Sequence, residues 1–104
     1  MERVVLCDGD LKVAIFSDGH RAELCVSRDA ELRFPLTKHH LTQILQGETI
    51  QFSQKGIFCK LTRDGKTVRL AFAYKGVHES SECDVELLQK LLERMNAEDV
   101  TAVN

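Results

Sequence analysis

Three Asp-Gly pairs, Asp8-Gly9, Asp18-Gly19 and Asp64-Gly65, interrupt runs in which apolar and polar residues alternate. Both residue types tolerate the positive φ of a type I′ turn, so such a pair between alternating runs specifies a β-hairpin. A two-residue turn at Asp64-Gly65 sets Leu61 opposite Val68, Cys59 opposite Leu70 and Ile57 opposite Phe72, all apolar on one face. The other face then pairs Thr62 with Thr67, Lys60 with Arg69 and Phe58 with Ala71. Because side chains alternate along a strand, a slip of one residue would mix the two sets.

The same logic applied to Asp18-Gly19 sets Ile15 opposite Ala22, Val13 opposite Leu24 and Leu11 opposite Val26. Its reverse face pairs Phe16 with Arg21, Ala14 with Glu23 and Lys12 with Cys25. Strands at Val4–Cys7 and Glu31–Phe34 complete a four-strand meander, which Pro35 closes. Thr37 is a good N-cap, flanked by Leu36 and Leu41 as a hydrophobic staple, for a helix over 38–46 that Gly47 stops. The cycle repeats: a strand over 48–52, the hairpin over 57–75 and a strand over 77–80. A last helix follows, capped by Ser81 or Asp84, with Val85, Leu88, Leu92 and Met95 as its apolar stripe and Leu87 and Leu91 widening it. The expected fold class is therefore α+β: antiparallel meander sheets with two helices, strands then helix, twice. With 104 residues, residues 1–104 form a single domain of two half-repeats, 3–47 and 48–96, plus a flexible tail at 97–104. Neither half buries its own helix and sheet, so the halves pack together.

The net charge of −2 hides an asymmetry, with 12 Lys/Arg against 9 Asp/Glu in residues 1–78 and 2 against 7 in 79–104. No apolar run approaches the roughly 20 residues of a membrane span, and the N-terminal apolar stretch is too short for a signal peptide, so the expected location is cytoplasmic. The four cysteines, Cys7, Cys25, Cys59 and Cys83, form no CxxC pair, which predicts inert thiols and no metal. His39 and His40 project about 100° apart on a helix and do not chelate together. His20 and His78 have no partner readable from sequence. No nucleotide loop or hydrolase motif occurs. The expectation is a non-enzyme with no cofactor.

One sheet face offers more. Lys60 facing Arg69 is an unfavourable like-charge pair, and Phe58 and Lys75 lie beside it. The first half supplies Lys12, Phe16, Arg21 and Arg33. Aromatic rings interleaved with cations make a stacking platform with phosphate contacts, which suits single-stranded DNA or RNA. The alternative is a protein-interaction or homodimerisation module, joined through the helices or the Phe16 and Phe58 surface.

This order of elements resembles the Whirly and positive-transcriptional-coactivator fold, in which a four-stranded sheet and a helix occur once per chain in a dimer or twice in one chain. The segment Arg33-Phe34-Pro35-Leu36-Thr37-Lys38-His39-His40-Leu41 is similar in kind to that family's strand-to-helix entry. The resemblance implies single-stranded DNA binding on the sheets, with Lys12, Phe16, Arg21, Phe58, Lys60 and Arg69 as contacts. The lysine-glycine-lysine-alanine run of Whirly proteins and the lysine-rich arm of the coactivators are absent.

Overall fold

In the computed structural model, residues 2–18 and 21–103 are described, with side chains to Ala97. The first half comprises β1 (Glu2–Asp8), β2 (Lys12–Ser17), β3 (Ala22–Ser27), β4 (Glu31–Leu36) and α1 (Lys38–Leu45). The second comprises β5 (Ile50–Gln54), β6 (Ile57–Asp64), β7 (Thr67–Tyr74), β8 (Val77–Asp84) and α2 (Val85–Val103). Each half is a four-stranded antiparallel meander with strands in sequence order. The α+β class and the doubled strands-then-helix order are as expected. Of the expected tail, 97–104, Asn104 and the side chains beyond Ala97 lie outside the described residues.

The alternation places the expected residues on the inner faces: Val13, Ile15, Leu24 and Val26 in the first sheet, Ile57, Cys59, Leu61, Val68, Leu70 and Phe72 in the second. The register differs by two residues in both hairpins. Leu61 faces Leu70, Cys59 faces Phe72 and Ile57 faces Tyr74, so the two-residue loop is Gly65-Lys66. Gly65 carries φ +66 there, and Lys66 is not among the positive-φ residues, the sign pattern of a type II′ turn. The Thr67 hydroxyl donates to the Asp64 carbonyl at 3.0 Å, and Arg63 Nε donates to the Gly65 carbonyl at 2.9 Å. In the first hairpin Ile15 faces Leu24 and Val13 faces Val26. Its loop spans four residues, with the Arg21 N–H donating to Asp18 Oδ1 at 2.9 Å. A two-residue shift leaves every side chain on its face, so the core survives and the cross-strand partners change. The two-residue turns with positive φ at both centres are Lys55-Gly56 and Lys75-Gly76, at +51 and +82 and at +47 and +80.

β4 continues through Pro35 to Leu36 rather than ending at the proline; it is an edge strand, where a missing N–H costs no ladder bond. Thr37 caps α1, accepting from the His40 N–H at 3.1 Å while His40 Nδ1 accepts from the Thr37 N–H at 3.3 Å. At the other end Gly47, at φ +93, donates to the Ile44 carbonyl, and the Glu48 N–H reaches that of Gln43, a complete Schellman pair. Arg63 adds a guanidinium bond to the Leu45 carbonyl, a cation at the negative end of the helix. Ser81 caps nothing, because β8 runs to Asp84. The stripe of α2 is Val85, Leu88, Leu91 and Met95, with Leu92 half-buried. Leu91, expected to widen the stripe, belongs to the chain's own core.

One buried cluster draws on both sheets and both helices, including Leu24, Phe34, Leu41, Ile44, Leu61, Leu70 and Leu88. The halves also meet at their edges. At one, the rings of Phe34 (β4) and Phe52 (β5) lie 5.4 Å apart, and His40 meets Phe52 edge-on at 5.0 Å. At the other, β1 bulges between Val5 and Cys7, and β8 serves the backbone groups nearby. The Ser81 hydroxyl donates to the Leu6 carbonyl. Glu79 accepts from the Asp10 and Leu11 N–H groups at 2.9 and 3.2 Å and from the Cys7 thiol at 3.1 Å. The Cys7 hydrogen bond, then those two amides, hold the Glu79 carboxyl below its ordinary value of 4.5.

Two outcomes follow from this packing. Leu88→Ala removes a fully buried side chain from the shared cluster and should cost about 2–5 kcal/mol in urea unfolding. Glu79 has a lowered folded-state pKa, so its contribution is present above the ordinary carboxylate range and lost as pH falls through the lower folded value. Urea midpoints between pH 7 and pH 3 should therefore fall more steeply for the wild-type chain than for Glu79→Gln.

Candidate nucleic-acid interface

Among the described residues no helix or strand packs on the outward faces of the sheets, and the register sets what they display. The first outer face carries three rows across the strands: Arg3, Phe16, Glu23 and Pro35; Val5, Ala14, Cys25 and Arg33; Asp8, Lys12, Ser27 and Glu31. Cations and acids balance there, three against three. The second carries Ser53, Phe58, Ala73 and His78, then Gln51, Lys60, Ala71 and Ser80, then Thr62, Arg69 and Glu82. Asp64, Thr67 and Asp84 form its last row.

The eight expected contact residues do not share one surface. Lys12, Phe16 and Arg33 lie on the first outer face, and Phe58, Lys60 and Arg69 on the second. Arg21 lies in the β2–β3 loop, and Lys75 in the β7–β8 turn. The expected Lys60–Arg69 pair is not formed: Lys60 faces Ala71, and Arg69 faces Thr62 on β6 and Glu82 on β8. Phe58 faces Ala73 instead of Ala71, Phe16 faces Glu23 instead of Arg21, and Lys12 faces Ser27 instead of Cys25. Lys60 and Arg69 become diagonal neighbours bordering one open hollow with Thr62, Arg63, Asp64 and Ala71.

Several of the cations are already neutralised. Arg69 stands 3.7 Å from Glu82 and 3.9 Å from Asp64. Arg33 stands 3.4 Å from Glu23 and 3.6 Å from Glu31. Lys75 reaches Asp29 at 3.5 Å and lies 5.1 Å from the centre of the Tyr74 ring. Such exposed pairs are worth about 0–1 kcal/mol, so a strong anion can displace the acid. Lys12 and Lys60 have no ion pair among the described residues. The Phe16 ring is half-buried, with the Arg3 guanidinium 5.7 Å from its centre. Phe58 is 39 % exposed, because the neighbours flanking it across the strands are Ser53 and Ala73.

No group of three or more His, Cys, Asp or Glu able to hold a metal occurs among the described residues. Cys59 is buried, and its thiol is pushed up to about 12 by desolvation. Cys83 is raised to about 11, chiefly by burial and then by Asp84. Such thiols carry almost no thiolate at neutral pH and are poor nucleophiles. No protein-family model, curated protein or solved structure matches the chain.

Sequence reasoning missed His40, which reads as a solvated histidine but completes the α1 cap and contacts Phe52. Its position three residues after the N-cap threonine was the available clue. It also missed Glu79 and Ser81, two polar residues at alternating positions of β8 where the preceding strands hold apolar ones.

With a chromogenic disulfide reagent at pH 8, Cys7 should be labelled first and Cys59 only on unfolding. The measurement is the number of thiols modified per minute, with and without urea.

Proposed function

We propose that the protein is a non-catalytic binder of single-stranded nucleic acid, using the outer face of the second sheet. The observation that carries this reading is Phe58, 39 % exposed among small side chains, with Lys60, which has no ion pair among the described residues, two positions along the same strand and face. A base stacks on the Phe58 ring, and Ala71, Ala73, Ser53 and Ser80 leave room for its neighbours. Lys60 contacts a phosphate, and Arg69 joins it by exchanging Glu82 or Asp64 for a phosphate oxygen.

Because this face is not strongly basic, binding rests more on stacking than on counterion release. Stacking of one base on an aromatic side chain is worth about 1–3 kcal/mol, so Phe58→Ala should weaken binding by roughly 5- to 150-fold. Each phosphate contact adds about −0.7 to the slope of log K against log salt for a single strand. One or two contacts therefore give a slope between about −0.7 and −1.4. Fluorescence anisotropy of a labelled single-stranded oligonucleotide across a salt series tests this. The wild-type chain should show that shallow slope, and Lys60→Ala should flatten it by about 0.7. No binding at low salt, or full retention by Phe58→Ala, would remove the reading.

A further inference from the structure

The outer face of the first sheet holds a hollow of about 300 Å3 that the nucleic-acid reading does not use. Its floor is Val5, Ala14 and Cys25, three of the four residues in the middle row of that face. Ala14 and Cys25, small side chains between rows of longer ones, are only 6 % and 5 % exposed. Val5, 52 % exposed, continues the floor at the β1 edge. The floor is thus apolar and lies below its rim.

The rim is charged, with both signs adjacent. Asp8 and Lys12 are register partners on neighbouring strands, yet no ion pair joins them, and neither has another ion-pair partner among the described residues. A carboxylate and an ammonium thus stand side by side at one bank. The opposite bank is the Phe16 ring with the Arg3 guanidinium 5.7 Å from its centre. A phosphodiester chain fits this rim poorly, because Asp8 and Glu31 balance its two cations, Arg3 and Lys12.

We propose that this hollow binds a free α-amino acid with a large apolar side chain. The ligand carboxylate accepts from Lys12 Nζ, and its ammonium donates to the Asp8 carboxylate. Its side chain lies on Val5, Ala14 and Cys25 with its tip against Phe16. The charge pattern decides the occupant: a zwitterion satisfies the adjacent Asp8 and Lys12 at once, whereas a simple anion or cation leaves one of that pair facing a like charge. The volume lies at the lower end of small-molecule sites. For a ligand this small in an open site, a dissociation constant of about 1 mM is expected.

The test is a two-dimensional amide NMR titration of the full chain with L-phenylalanine, with L-leucine, and with N-acetyl-phenylalaninamide, which keeps the ring and lacks both charges. Saturable shifts at β1–β3 amides with the free amino acids, and binding at least tenfold weaker for the blocked compound, are the expected result. Asp8→Asn and Lys12→Met should each weaken binding severalfold. Ala14→Leu, which fills the floor, should abolish it while circular dichroism stays unchanged. Equal binding of the blocked compound, or no saturable shift with either amino acid, overturns the proposal. Neither result bears on the oligonucleotide experiment, whose residues lie on the other sheet.

Discussion

The bulge in β1 is the constraint on which the joining of the two halves turns. An extra residue in an edge strand leaves backbone groups without ladder partners, and buried or half-buried groups of that kind are costly. Here the Ser81 hydroxyl takes the Leu6 carbonyl, and Glu79 takes the turn amides of Asp10 and Leu11. Both come from the last strand of the other half, some 70 residues away. The approach is close enough that a Cβ on Gly9 would stand 2.7 Å from Glu79 Oε1. The first half is therefore finished by the second, polar group by polar group, at this edge. Apolar contact between Phe34 and Phe52 does the corresponding work at the opposite edge.

That arrangement decides which surfaces remain for function. The inner faces and both helices are spent on a single buried cluster, and Leu88 and Leu91 of α2 belong to it. Besides the polar sides of the helices, two sheet faces of different character remain outward. One is charge-balanced and dished around Ala14 and Cys25. The other presents Phe58 and Lys60 on a bed of small residues. The balance on the first comes from strand neighbours: Glu23 and Glu31 meet Arg33 across and along the edge. On the second, β8 brings Glu82 to Arg69.

The faces of the strands were readable from the sequence, because alternation with period two is insensitive to a two-residue shift in pairing. The register was not, since it depends on whether Gly65 occupies the first or the second place of the turn. The Asp-Gly pairs suggested the second; bonds from Arg63 and Thr67 in the turn accompany the first. The apolar stripe of α2 was legible to within one position, Leu91 rather than Leu92, a difference of about 100° in helix phase. At the candidate site, the exposure of Phe58 followed from its face. The neutralisation of Arg69 by Glu82 did not, because that acid sits on a strand whose extent the sequence pattern had cut short at residue 80. Glu79 and Ser81 escaped notice for a related reason, since their partners are backbone groups of a bulge that alternation alone cannot reveal.

The most direct test of this interlocked architecture is urea unfolding followed residue by residue by amide NMR on the full chain. If β8 completes the first half and one cluster serves both, amides of Leu24 and Leu70 lose native intensity at the same midpoint with the same slope. Separate midpoints, with one sheet intact while the other has unfolded, would contradict it.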